Sequence, residues 1–479
     1  MTSDPSTRGP RPGARPQSIP WPMVAGIILL AILAVVLAML VLGGGGQPNP
    51  STEPTGSAEA SGGGASLEPI ASVQPSAQPS TGASAEPEPA GLADRVLVAE
   101  ADGLRVRSAP SEEGDVFATL RRGLRMGATG AIEGDWVEVR IGPGPLTGWV
   151  SAGPDRSWLR VVADGAIAYR STGEAEDSSS GWVLTTPLGD AALDQLAGAD
   201  VVEIAWSPDG SRVAMAIGDA DGLAVDVADA DGSNRRTIGP GGYGPSWSPD
   251  GRLAWSSQAG IVIADESLTP TVLDDELRNP GKPFWSPDST RLAVVAMDCA
   301  ECPEDEPIVG DVPGAIYVVD VATGATTKLT DPGYYGFGGW SADGTRITFS
   351  TIDLSGEAPQ QAFSVAAQGG APTPLFDGAA VHEAATWSPD GARLALGTPE
   401  GLVIMAGDGG SPSVLVSGDA FVSGAQWSPS GEWLVYQTGD GPDIGVWIVR
   451  ADGGEPRRIT ATDVSAGMPA WQPLWEPLP

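Results

Sequence analysis

The sequence predicts an all-β protein carried behind a single membrane-spanning helix. Three observations point there: an uncharged apolar run near the N-terminus, a series of short β-patterned runs from about residue 95 onward, and a pentapeptide of the form Trp-Ser-Pro-Asp-Gly that recurs down the C-terminal part of the chain. At 479 residues the chain exceeds one ordinary core, so it should divide into two or three folded units with non-globular segments between them.

From Trp21 to Gly43 there is no charged residue, and Met23 to Leu42 supplies 20 positions. At about 1.5 Å per residue they span about 30 Å, one hydrocarbon core. Residues 21–43 are therefore expected to form a transmembrane helix behind a cytoplasmic tail, residues 1–20. Arg8, Arg11 and Arg15 precede the span, and the next basic residue is Arg95. The positive-inside bias then puts the N-terminus in the cytoplasm and the remainder outside, at the cell membrane. A cleaved signal peptide is the rival reading, but its apolar region is normally about 7 to 15 residues and ends at a small-residue site. This run is longer, leaves into Gly43-Gly44-Gly45-Gly46 and has no Cys at its exit for a lipid.

Residues 44–92 are mostly Pro, Ser, Gly, Ala, Thr and Glu without a periodic pattern. They cannot bury enough apolar surface to offset chain entropy and read as a disordered linker. The formal charge is −35, with 26 basic residues against 61 acidic. That balance excludes nucleic acid as an expected partner, because phosphate binding needs clustered Lys and Arg.

Residues 93–160 carry short apolar runs separated by Gly, Pro, Asp and Ser, the pattern of a small barrel. The runs are Val96-Leu97-Val98, Leu104-Arg105-Val106-Arg107, Val116 to Leu120, Trp136 to Arg140 and Gly148-Trp149-Val150. Leu104-Arg105-Val106-Arg107-Ser108-Ala109-Pro110-Ser111, Leu120-Arg121-Arg122-Gly123, Gly134-Asp135-Trp136-Val137-Glu138-Val139 and Thr147-Gly148-Trp149-Val150 resemble the bacterial SH3-like family. The resemblance implies a unit that contacts cell-wall peptide or acts as a spacer. Ala109 stands where that family usually has Gly.

Residues 161–479 hold the repeat: Trp206-Ser207-Pro208-Asp209-Gly210, Trp247-Ser248-Pro249-Asp250-Gly251, Trp285-Ser286-Pro287-Asp288, Trp340-Ser341-Ala342-Asp343-Gly344, Trp387-Ser388-Pro389-Asp390-Gly391 and Trp427-Ser428-Pro429-Ser430-Gly431, with a degenerate Trp471-Gln472-Pro473. Ser-Pro-Asp-Gly is a type I turn, in which Pro presets φ at the second position and Gly closes the fourth. An apolar strand follows each turn, and a hairpin such as Asp231-Gly232 or Gly409-Gly410 follows that. Four strands per unit at this spacing make a propeller blade. The motif resembles the TolB-type WD40-like repeat. Ala166-Ile167-Ala168-Tyr169 and Trp182-Val183-Leu184 lack a Trp strand before them, and Trp471 lacks a unit after it. Joining the two ends gives seven blades, and six is the alternative that the TolB resemblance implies.

The turn face leaves little room for variation, whereas the loops entering each innermost strand carry Tyr243, Tyr334, Tyr335, Phe337, His382, Glu383 and Phe421, with Arg278 and Lys282 beside them. Tyr243, Tyr334, Tyr335, Phe337, His382 and Phe421 are the candidate partner-binding residues, because aromatic side chains on surface loops are otherwise sparse. Cys299 and Cys302, the only cysteines, lie in an insertion on that face and are expected to form a disulfide outside the cytoplasm. Asp219-Ala220-Asp221-Gly222 and Asp229-Ala230-Asp231-Gly232 lack the rest of a calcium loop, and no metal or cofactor is assigned. The chain has one histidine and no Gly-x-Ser-x-Gly, so no catalytic residues are assigned. The expected function is an envelope binding or sensing protein whose partner is an envelope protein or cell-wall component. The alternative is a carboxylate-dependent propeller enzyme acting on glycans.

Overall fold

The computed structural model describes residues 92–478 without 93–94, 141–146, 172–180, 187–191, 198–199, 220–221, 275–276, 298–312, 356–357, 377–379, 419–420, 440–443 and 462–464. The expected tail, span and linker, apart from Leu92, lie outside the described residues, as do Cys299 and Cys302. Among the described residues no helix is long and apolar enough to cross a membrane.

Six strands come first: β1 (Val96–Ala99), β2 (Leu104–Arg107), β3 (Val116–Leu120), β4 (Arg125–Glu133), β5 (Trp136–Arg140) and β6 (Thr147–Ser151). They pair in the order β3-β2-β6-β5-β4-β1 and surround one core that includes Leu97, Val106, Leu120, Met126, Val139 and Val150. In β5 the two-residue period buries Val137 and Val139 and leaves Trp136, Glu138 and Arg140 half-buried on the other face. Trp149, opposite Glu138, is also half-buried on the outside.

The next strand, β7 (Leu159–Ser171), is 13 residues long and crosses between two environments. Its first part pairs with β1, Val161 opposite Leu97, and its second part with β8 (Gly181–Thr185), Ile167 opposite Thr185. β8 pairs in turn with β9 (Ala192–Ala197). The last strand of the chain, Ala466–Pro477, runs antiparallel along β7, with Trp471 opposite Ile167 and Trp475 opposite Val162. Six other four-stranded antiparallel sheets lie between these ends. Their first strands end at Trp206, Trp247, Trp285, Trp340, Trp387 and Trp427. Each first strand lies against the next, and the closing strand lies against both Val422–Trp427 and Val201–Trp206. The fold is all-β and propeller-like, and the closing set repeats the four-strand order of the others.

The repeat motif builds both the turn and the seam between neighbouring sheets. The Gly210 amide donates to the Ser207 carbonyl at 2.9 Å, closing the turn. Ser207 Oγ donates to Asp209 Oδ1 at 2.6 Å and accepts the Arg212 amide at 2.9 Å. Ser248, Ser286, Ser341 and Ser388 donate in the same way to Asp250, Asp288, Asp343 and Asp390. The motif's Asp is thus a hydrogen-bond acceptor within the turn as well as a residue the turn tolerates. Four of the motif tryptophans reach back one sheet: Trp247 Nε1 donates to the Ala205 carbonyl at 3.1 Å, Trp285 to Ser246 at 3.0 Å, Trp340 to Phe284 at 2.9 Å and Trp427 to Thr386 at 3.1 Å. The arginine after each turn reaches forward, Arg212 over Trp247 at 4.7 Å, Arg252 over Trp285 at 4.8 Å, Arg291 over Trp340 at 4.9 Å and Arg393 over Trp427 at 4.7 Å. Each such stack contributes about 0.5 to 2 kcal/mol. Three seams depart from the rule. The buried Nε1 groups of Trp206, Trp387 and Trp471 have no partner among the described residues, and at the Trp387 seam Arg346 turns to Ser364 Oγ at 2.7 Å.

The sixth repeat has Ser430 where the others have Asp, and the other end of the chain supplies the missing carboxylate. Asp164, near the middle of β7, accepts the Ser430 amide at 2.8 Å and its hydroxyl at 2.7 Å. Removing residues 466–479 takes away the partner of β7 and Leu478, which packs on the N-terminal core. The truncated chain is expected to lose its single cooperative unfolding transition, and limited proteolysis should cut both within residues 159–171 and in the N-terminal strands. A truncated chain with an unchanged melting curve would disprove the dependence.

Candidate functional site

The first strands of the sheets ring a channel containing a cavity of about 740 Å³. Trp206 and Trp471 and the turn residues Pro208, Pro249, Pro389 and Pro473 line it, so its walls are largely rings. At the turn end the channel meets the N-terminal strands. Gly123, between β3 and β4, has φ +85°, and a Cβ there would lie 2.0 Å from the Pro249 carbonyl oxygen. Glycine is required at this approach on both grounds. A Cβ on Gly127 would lie 3.4 Å from that of Asp390, and Trp475 packs with Val96, Val98 and Val162. The N-terminal strands therefore sit on the face made by the Ser-Pro-Asp-Gly turns, and Arg125 of β4 lines the cavity from there. Surrounding protein pushes the Arg125 guanidinium down to about 10, partly offset by the negative charge of Asp164. Arg125 is a functional candidate that sequence reading missed. The available signal is a lone arginine in the apolar run Leu124-Arg125-Met126.

At the other end Lys282 Nζ meets Glu203 Oε1 at 2.6 Å and lies 5.7 Å from the centre of the Phe284 ring. Both Lys282 and Glu203 stand three residues before a motif Trp. The same position is held by Gly244 and Gly424, both at φ 65°, and by Met468 at φ 53°. Met468 thus occupies a left-handed conformation that costs a residue with a Cβ about 1 to 2 kcal/mol, and it is 49 % exposed at the cavity wall.

The candidate aromatic residues fall into separate places around the loop side. Tyr243 is mostly buried, its hydroxyl donates to the Pro280 carbonyl of the next sheet, and burial pushes it up to about 12. Tyr335 donates to the Asp331 carbonyl at 2.8 Å and meets Phe349 edge-on at 5.4 Å. Phe337 stacks on Phe284 of the preceding sheet at 4.2 Å. Tyr334 is half-buried beside them. One sheet further on, His382 stacks on Phe421 at 4.4 Å, and its Nδ1 lies 3.0 Å from the Val422 carbonyl. Burial holds the His382 imidazole below its ordinary value, so the ring is neutral at neutral pH. Phe421 is 36 % exposed. Tyr334, Tyr335 and Phe337 thus lie together, His382 and Phe421 form a second group, and Tyr243 stands apart.

Beside His382, the Glu383 carboxylate accepts three amides, from Gly424 at 2.6 Å, Ala425 at 3.1 Å and Gly397 at 3.3 Å. Burial pushes its carboxyl up to about 7, against the pull of those three donors. Among the described residues no group of three or more His, Cys, Asp or Glu is placed to hold a metal ion. With its folded value above the unfolded one, Glu383 contributes stability that is present below about 4.5 and lost as pH rises through about 7. The unfolding free energy from urea titrations should therefore fall between about pH 5 and about pH 8, by on the order of 2 kcal/mol. Glu383→Gln, which mimics the protonated side chain, should flatten that slope. An equal slope in the variant would assign the pH dependence to other groups.

A family model for the TolB β-propeller domain matches residues 220–475. No curated protein matches the chain. Among solved structures, TolB from Acinetobacter baumannii is similar at 18% identity, with 64% of this chain and 82% of that one covered and a TM-score of 0.38. Oligogalacturonate lyase from Vibrio parahaemolyticus is similar at 12% identity over 62% of this chain and 86% of that one, with a TM-score of 0.44. An acylaminoacyl peptidase from Pyrococcus horikoshii is similar at 19% identity over 52% of this chain and 43% of that one, with a TM-score of 0.40. None of these three likenesses carries an argument about activity. The family model spans more than half of the chain, from within the first of the six four-stranded sheets into the closing strand, and the chain belongs to the TolB β-propeller family.

Proposed function

We propose that this protein is an extracytoplasmic binding or sensing protein of the bacterial envelope, anchored by residues 21–43, with a seven-bladed propeller as its platform and an SH3-like unit formed by the N-terminal strands. One observation carries the reading. The turn face is occupied by the N-terminal strands, through Gly123 on Pro249 and Gly127 beside Asp390, so the loop face is the one left for a macromolecule. Phe421, held against His382 and partly open to solvent, is the aromatic anchor on that face. The partner is an envelope protein or a cell-wall component, and the SH3-like unit serves as a cell-wall contact or a spacer.

A carboxylate-dependent enzyme acting on glycans is the second reading, favoured by the Glu383 carboxyl held near 7. Such an enzyme needs a second, facing carboxylate, and Glu203 is tied to Lys282 at 2.6 Å. Release of reducing ends from envelope glycans by the wild type and not by Glu383→Gln would establish the enzyme.

The binding reading is tested by a photo-crosslinking residue placed at Phe421 or, as a control, at the exposed Asp231 of a turn-side hairpin, in intact cells. Capture of one envelope component from position 421 and not from 231 is the expected outcome, and Phe421→Ala should weaken its binding by about 2 kcal/mol. Equal capture from both positions would remove the loop face as the binding face. External protease should meanwhile cleave the folded part from intact cells and leave a membrane-bound stub.

A further inference from the structure

We infer that the turn end of the channel is a binding site for a small organic anion, with the Arg125 guanidinium as its anchor. The inference goes beyond the loop-face reading and does not depend on which macromolecule that face takes. Arg125 lines the cavity between Gly123 and the ring of turns, yet its guanidinium makes no hydrogen bond and no ion pair among the described residues. A guanidinium carries five N–H donors in a planar fork and cannot discharge itself by losing a proton. Arg125 is half-buried, so its guanidinium has given up part of its water to line a site in which no protein acceptor meets the fork.

Among the described residues the carboxylate whose charge acts on it is Asp164. Both Asp164 oxygens are already engaged, accepting the Ser430 amide and hydroxyl at 2.8 and 2.7 Å. The channel walls nearby are Trp206, Trp471, Pro208 and Pro473, whose side chains supply apolar faces and no charged acceptor. A ligand that answers this arrangement has a carboxylate or phosphate for the fork and an apolar or ring-shaped body for the walls. The cavity of about 740 Å³ has room for one. Entry is from the loop side, past Glu203, Lys282 and Met468, because the N-terminal strands stand across the turn side.

Arg125 comes from outside the ring, so the site exists only while the N-terminal strands are docked. Occupancy of the channel by an anion would therefore hold the two parts together by linkage, since only the docked form binds.

The test titrates the full-length chain with two probes at constant ionic strength, inorganic phosphate and benzoate, reading tryptophan fluorescence and the thermal midpoint. A saturable change in fluorescence with a rise in midpoint is expected for at least one probe. Phosphate alone points to a phosphoryl ligand, benzoate alone to a carboxylate with an apolar body, and both to a site that reads charge. Arg125→Met should weaken the response at least tenfold and, without anion, should fold with a midpoint no lower than the wild type. Arg125→Lys, which keeps the charge and loses the fork, should bind the same probe more weakly but saturably. No saturable response from either probe would overturn the site, as would an unchanged response in Arg125→Met. An Arg125→Met chain that melts lower or fails to fold would also overturn it, because Arg125 would then be a structural counter-charge for Asp164.

Discussion

Every other feature of the molecule depends on one antiparallel pairing, that of β7 with the closing strand. A row of sheets whose ends do not meet leaves two exposed edges and no enclosed channel. Here Trp471 takes its place opposite Ile167, between the strands that end at Trp427 and Trp206, and the ring is complete. The same two strands continue past the ring, with Pro477 opposite Arg160, while Ala99 of β1 pairs with Leu159 on the other side of β7. One sheet thus belongs to both the ring and the N-terminal strands. That continuity sets Gly123 and Arg125 against the turns, and it sets Asp164 where the sixth repeat lacks an acid.

The two faces of the ring consequently have different chemistry. On the turn side, short regular loops, cation–aromatic stacks and the docked strands give a closed surface. On the loop side, the sheets are joined by individual contacts that differ from seam to seam: a tyrosine hydroxyl on Pro280, a threonine hydroxyl on the Ala385 carbonyl at 2.6 Å, a carboxylate on three amides. Most of the aromatic residues there bridge neighbouring sheets, and among the described residues Leu354, Phe421 and Met468 are the large apolar side chains on that side that remain substantially exposed. A channel closed at one end and open at a varied rim can present a different ligand chemistry at each depth.

The repeat was legible in the sequence because its residues perform the same local task each time. Ser, Pro, Asp and Gly make one turn, and Trp fills one gap, so the spacing alone gave the sheets and their order. The unmatched halves at Ala166 and Trp471 likewise pointed to the end pairing. β4 was not legible, because Arg-Met-Gly-Ala-Thr-Gly-Ala is poor in β-branched residues and its strand is held by partners on both sides, β1 and β5. Nor were the roles of Arg125 and Asp164. Their meaning lies in contacts across distant parts of the chain, such as Asp164 with Ser430, and no local pattern encodes that. The aromatic rim residues were visible as residues, but whether each one faces solvent or a neighbouring sheet is decided by packing.

The long-range character of the closing pair also sets the order of events as the protein is made. Gln472 lies 306 positions after its hydrogen-bond partner Ala166. At about 5 to 20 residues per second, the free edge of β7 waits roughly 15 to 60 s for its mate. During that interval the nascent chain carries a strand of 13 residues with one edge open next to a growing stack of sheets, a template for wrong partners. The closing strand has Pro469, Pro473 and Pro477 along its length, each without an amide to donate. A strand punctuated in this way pairs poorly with an arbitrary edge and well with one whose bulges match it, so proofreading of assembly is written into the closing strand itself.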